Sequence, residues 1–203
     1  MNDENQTPSI GGANLECLFS YNNFGVERLE QVVDRIVDFG FSVREDRGCL
    51  LVRVSGGSLQ FDEFSSVGRL IEEARSKKPR SIKVNFSGTI EDVQVPLSLR
   101  YDLPNFVVAL SVPENMIWEF SEDVGKANKS RLGKFIQLCK RIAEDYPPAY
   151  AHLGTEGLHS DEIAIENAQS DDDFAPFDGS MFSEESIDEL FRWYTESYVG
   201  RWE

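Results

Sequence analysis

The stretch Tyr146-Pro147-Pro148-Ala149-Tyr150-Ala151-His152-Leu153-Gly154 holds one of the chain's two histidines, with Tyr146 and Tyr150 close by. Imidazole changes charge near neutral pH, so His152 beside a carboxylate could move protons as a general base. A lone histidine on a short strand more often packs against its neighbours, and that is the preferred reading here. A nucleophilic cysteine would need a thiolate near His152 or His159. Cys139 falls instead in the apolar stripe of a helix, and Cys17 and Cys49 fall in apolar strand patterns. All three thiols are expected in the core.

Other chemistry finds less support. Asp171, Asp172, Asp173 and Asp178-Gly179 suggest calcium, but the alternating ligand spacing and closing glutamate of a helix-loop-helix site are missing. They read as a solvated loop. The glycine pairs at 11–12 and 56–57 lack the spacing and the lysine of a phosphate-binding loop. Arg75, Lys77, Lys78 and Arg80 form a basic cluster that could meet an anion, although offsetting a helix C-terminal dipole explains it more simply. No carboxylate pair stands out for acid and base work. The chain is expected to need no cofactor and no metal, and to be no enzyme.

Composition sets the frame for these residues. With 40% hydrophobic and 11% aromatic residues, 203 residues can build one sizeable core, so a single domain is expected. The formal charge of −16, from 36 acidic and 20 basic residues, repels nucleic-acid phosphates. It suits a basic protein partner, mimicry of nucleic acid, or plain solubility. No apolar run reaches the roughly 20 residues that cross a bilayer. The opening residues lack a basic then apolar signal pattern, and the cysteines are few and odd in number, so a cytoplasmic protein is expected.

Periodicity then predicts the elements. Residues 1–12 read as a polar, flexible tail, and 13–203 as one domain with an acidic insertion at about 154–180. Leu15, Cys17, Phe19 and Tyr21 alternate as in a strand, and Leu29, Val32, Val33, Ile36 and Val37 make one helical stripe ending at Gly40. Apolar runs at 41–45 and 49–54 flank Asp46-Arg47-Gly48, a hairpin signal. A helix is predicted from about Asp62 to Ser76. Strands follow at 81–86, 90–101 and 106–112, with Ser87-Gly88 as a turn and Pro96 demanding an edge or a bulge. Pro113-Glu114 opens a short helix, and a long helix spans roughly Ser130 to Asp145, stopped by Pro147-Pro148. A short strand at 149–153, a brief one at 162–166 and a last helix capped by Ser183 complete the chain. The fold class is α+β: a mostly antiparallel mixed sheet of about five to seven strands packed by about four helices.

The long helix, then Pro148-Ala149-Tyr150-Ala151-His152-Leu153, then an irregular insertion, then Leu190-Phe191-Arg192-Trp193-Tyr194 and Ser197-Tyr198-Val199, resembles immunity proteins of bacterial polymorphic toxin systems. Such proteins join a mixed sheet and flanking helices to a proline-any-tyrosine step and an aromatic-rich end. Ala151 stands where they often have glycine, and the insertion here is unusually acidic. The resemblance implies a non-enzymatic protein that binds and blocks a toxin, its acidity complementing a basic nuclease surface.

Tyrosine and tryptophan dominate binding hot spots. The candidate partner-binding set is therefore Tyr150, His152, Asp171, Asp172, Asp173, Trp193, Tyr194, Tyr198 and Trp202. Two other readings stand beside it. An acidic mimic of nucleic acid, regulating a DNA-handling enzyme, requires carboxylates in a stripe on one face. An enzyme using His152 requires a concave pocket around that residue.

Overall fold

Between Ser81 and Ile90 the side chains of Ile82, Val84, Phe86 and Ile90 are buried, while those of Ser81, Lys83 and Asn85 are not. Such two-residue alternation gives a strand one dry face. The computed structural model describes residues 14–77, 79–91, 93–117, 124–155 and 177–199. The first elements are β1 (Asn14–Ser20), α1 (Val26–Asp38), β2 (Phe41–Val43), β3 (Cys49–Ser55), β4 (Ser58–Phe64) and α2 (Val67–Lys77). Then come β5 (Ser81–Ile90), β6 (Val93–Asp102), β7 (Val107–Pro113), α3 (Glu114–Ile117), α4 (Val124–Asp145) and β8 (Tyr150–Thr155). A 3-10 turn at Ser180–Phe182 leads into α5 (Glu184–Val199).

The fold is α+β, as its sequence implies. The eight strands form one sheet in the order β4-β3-β5-β6-β7-β1-β8, with β2 also on β5, and every pairing is antiparallel. One large cluster joins Leu15, Cys17, Phe19, Leu51, Val84, Leu99 and Leu110 of the strands to Leu29 and Ile36 of α1, Leu70 of α2, and Phe135 and Ile142 of α4. A second cluster contains only strand residues, Leu18, Val107 and Ala109. The described helices therefore pack on one face of the sheet.

Three turns differ from the sequence reading, each for a steric reason. Asp46-Arg47-Gly48 does not close a hairpin. β2 and β3 both pair antiparallel with the same side of β5, Phe41 to Val43 against Gly88 to Phe86 and Cys49 to Val52 against Val84 to Ser81. They are two pieces of one strand line, broken by an excursion at 44–48. Asn85 holds it: its N–H donates to Gly48 O at 2.8 Å, its carbonyl accepts from Arg44 N at 2.9 Å, and its Nδ2 donates to Arg47 O at 2.7 Å.

The hairpin lies one connection later, at Gly56-Gly57. Both glycines have positive φ, 59° and 80°, as a two-residue turn between twisted strands requires. Its second strand, β4, occupies part of the span predicted as helix, so α2 starts at Val67 instead of about Asp62. β4 is mostly exposed and carries no clean alternation of burial, which is why a strand pattern does not stand out there. Arg53 braces the hairpin with a forked contact to Asp62, 2.9 Å on each arm.

The third difference concerns Ser87-Gly88, which is no turn. β5 runs straight through it to Ile90, and the reversal falls between Ile90 and Val93. Gly88 is needed for room: a Cβ there would lie 2.4 Å from the Phe41 ring. Pro96 behaves as expected. It pairs with Ser87 in β5 but sits in the part of β6 that β7 does not reach, so its missing N–H costs no ladder bond there.

Tyr101, on the dry face of β6, donates its hydroxyl hydrogen to Phe24 O at the entrance to α1. The Phe24 ring packs edge-on against Tyr101 at 5.3 Å and tilted against Tyr21 at 4.5 Å. Burial, with smaller contributions from Glu27 and Asp102, pushes the Tyr101 phenol up to about 12.

Both contacts can be tested by unfolding. Gly88→Ala overpacks Phe41 and should cost about 1–3 kcal/mol in urea unfolding, where an unchanged midpoint would contradict the close approach. The fold favours the neutral phenol of Tyr101, so its contribution is complete below pH 10 and is lost as pH rises towards about 12. Tyr101→Phe should therefore flatten the alkaline fall in stability. At neutral pH it should also lower stability by about 1 kcal/mol.

Candidate functional site: the sheet face opposite the described helices

Strand parity assigns each side chain to a face, and register aligns these into rows. Across the face that bears no described helix, one row runs Phe61, Val52, Ser81, Asp102, Val107, Ser20 and Tyr150. The next runs Glu63, Leu50, Lys83, Arg100, Ala109, Leu18 and His152. A third runs Asn85, Ser98, Ser111, Glu16 and Gly154. Tyr150 and His152 thus project from edge strand β8 onto this face, away from the main core. Tyr150 is half-buried and His152 is exposed. His152 lies directly opposite Leu18, so the histidine extends a row of the face and does not fill the main core.

The centre of the face is apolar and close-packed. Leu18, Val107 and Ala109 are 7%, 6% and 1% exposed. Around them stand hydrogen-bonding groups: Ser98 Oγ donates to Asn85 Oδ1 at 3.2 Å, and Asn105 Nδ2 reaches Asp102 Oδ2 at 3.4 Å. Lys83 and Arg100 lie directly opposite each other on β5 and β6. Like charges in that position repel, and neither has an ion-pair partner among the described residues. The face therefore mixes apolar, hydroxyl and cationic groups within a strongly acidic chain.

Sequence patterns could have located Lys83, Asn85, Ser98 and Arg100, because each alternates with a buried apolar neighbour. They were missed as site residues because their types suggest solvent exposure, and only register brings them together. Asp171, Asp172, Asp173 and Trp202 lie outside the described residues, as does the brief strand expected at 162–166. Trp193, Tyr194 and Tyr198 fall on α5, but their side chains are likewise outside what is described.

Chemistry elsewhere is limited among the described residues. No group of three His, Cys, Asp or Glu converges as a metal site requires. Among the described residues, no helix is long and apolar enough to cross a membrane. A depression of about 500 Å³ between α1 and the end of α4 is lined by Gln31, Asp34, Arg35, Val37, Asp38 and Tyr146. Several of its groups are already engaged: Arg35 Nε meets Asp145 Oδ2 at 2.5 Å, Arg35 Nη1 lies 3.5 Å from Asp38, and Tyr146 Oη donates to Gln31 Oε1 at 2.9 Å. This depression lies beside Tyr146 and is not built around His152.

Cys17, Cys49 and Cys139 are all buried. Burial pushes the thiols of Cys17 and Cys49 up, and the adjacent Cys139 raises Cys17 further. Thiolates are therefore disfavoured at both positions.

The chain matches no family model, no curated protein and no solved structure. A functional reading therefore rests on its own surfaces.

The buried thiols give a direct check on the folded state. A thiol-specific reagent at mildly alkaline pH should leave the native chain unlabelled and modify all three cysteines once it is unfolded. Rapid labelling of native protein would show that Cys17 or Cys49 reaches solvent as a thiolate.

Proposed function

We propose that the chain is a non-enzymatic protein-binding protein, an immunity or antitoxin-like inhibitor that blocks a basic protein partner through the sheet face opposite the described helices. One observation carries this reading: seven strands share one face with no described helix upon it, where Lys83, Arg100, Tyr150 and His152 stand around a centre of Leu18, Val107 and Ala109 that is already buried within the chain. Interfaces are enriched in aromatic residues and arginine. The formal charge of −16 supplies long-range attraction for a basic partner. Tyr150 is the aromatic anchor of the face, in a position that suits a hot spot.

The other readings draw less from the structure. A nucleic-acid mimic needs an acidic stripe, whereas this face carries Lys83 and Arg100 near its middle. An enzyme using His152 needs a pocket around that residue, and the depression described between α1 and the end of α4 is lined by other residues.

The test is co-expression with the products of the neighbouring genes, followed by purification of the complex and calorimetry. A stable complex is expected, and Tyr150→Ala should weaken it by roughly tenfold or more, with circular dichroism checking that the variant is folded. A chain that binds none of those products overturns the reading. Full inhibition of the partner with Tyr150 and His152 both replaced by alanine would place the contact on another surface.

A further inference from the structure

β4 is the outermost strand of the sheet on the side away from β8. Ser55 and Ser58 face each other across the Gly56-Gly57 turn. In a two-residue hairpin that flanking pair is hydrogen-bonded, and antiparallel pairs alternate from there. Ser58, Gln60 and Asp62 therefore turn their backbone groups towards β3. Leu59, Phe61 and Glu63 turn theirs outward, where no described strand meets them.

Sheets ordinarily guard such an edge with charged side chains, lysine above all, or with proline, a bulge or a very short strand; the two charges of β4, Asp62 and Glu63, are drawn to Arg53 and to the Arg47 N–H. β4 reads Ser-Leu-Gln-Phe-Asp-Glu-Phe over seven residues, with neither lysine nor proline, and its pairs with β3 run in unbroken register. It also displays apolar side chains. Leu59 and Phe61 are 57% and 60% exposed, and Val54, opposite Leu59 on β3, is 53% exposed. These three form one patch on the side of the hairpin away from the described helices.

We propose that β4 pairs antiparallel with β4 of a second copy of this chain, joining the two sheets edge to edge about a two-fold axis. The sequence is complementary to itself in one register. With Gln60 opposite the partner's Gln60, Leu59 faces the partner's Phe61, and Phe61 faces the partner's Leu59. Each of these pairs presents outward backbone groups, so both can exchange ladder hydrogen bonds. Asp62 then faces the partner's Ser58, whose hydroxyl can donate to it, and no carboxylate faces another. Aromatic and aliphatic side chains paired across strands are favourable, and the seam covers the exposed patch from both copies.

The net charge acts against this dimer only at long range. Ionic screening reduces that repulsion beyond about 8 Å at physiological salt. The dimer should therefore tighten as salt is raised, unlike an association built on ion pairs.

Sedimentation of the full chain across the micromolar range tests the proposal. The wild type should reach a dimer, and Phe61→Lys, which adds the missing edge guard, should sediment as a monomer with an unchanged circular dichroism spectrum. Gln60→Cys supplies an independent readout that does not depend on how Phe61→Lys folds. A non-hydrogen-bonded antiparallel pair brings Cα atoms to about 4.5 Å, within disulfide reach. Mild oxidation should therefore link two Gln60→Cys chains, while the buried native cysteines stay silent. A chain monomeric at every concentration overturns the proposal and leaves the edge to a strand of another protein. A dimer that Phe61→Lys does not disrupt and that oxidation of the Gln60→Cys variant does not link would equally overturn it, because its seam would lie elsewhere.

Discussion

Ten consecutive pairs between β5 and β6, from Ser81 opposite Asp102 to Ile90 opposite Val93, fix the parity on which the rest of the sheet depends. β3 and β2 read their register from one side of β5, and β7 reads its own from the far side of β6. Through β7 the same parity passes to β1 and then to β8. A slip of one residue in the central pair would turn Ile82, Val84 and Phe86 away from the helices and bring Lys83 and Asn85 beneath them. That exchange would bury a cation without a partner and expose large apolar groups. The register is therefore enforced by the cost of reversing two chemically opposite faces.

The same alternation explains how much of the fold could be read in advance. α1 and α4 are legible because their apolar residues recur at helical spacing and their ends carry Gly40 and Pro147-Pro148. β5, β6 and β7 are legible from composition and short connections. β4 is hidden, because Leu59 and Phe61 face solvent and its charged residues resemble the first turn of α2. The Gly88 and Gly48 positions mislead for a shared reason: glycine marks a turn when conformation demands it, but here it leaves space. At Gly48 a Cβ would lie 1.9 Å from Arg44 O, and at Gly88 it would meet the Phe41 ring.

The candidate site is less legible than the fold. His152 and Tyr150 can be placed on a strand from sequence, but which face they occupy depends on the pairing of β8 with β1. The rows joining them to Leu18, Ala109, Arg100 and Lys83 span residues 18 to 152 of the chain, and no local pattern connects them. Net charge is similarly uninformative about local surface. A chain at −16 places Lys83 and Arg100 side by side on the face that bears no described helix.

The excursion at 44–48 separates two strand pieces that hold β5 independently. Phe41 to Val43 are fixed against Phe86 to Gly88, and Cys49 to Val52 against Ser81 to Val84. Asn85 clasps both ends of the excursion, through Arg44 on one side and Arg47 and Gly48 on the other. Only exposed Glu45 and Asp46 lie between those anchors. Added residues at that point lengthen a surface loop without moving either register, and loop-closure entropy grows slowly with length. The chain thus contains, in the middle of a strand line, a length-tolerant position where new sequence can be carried while the sheet stays unchanged.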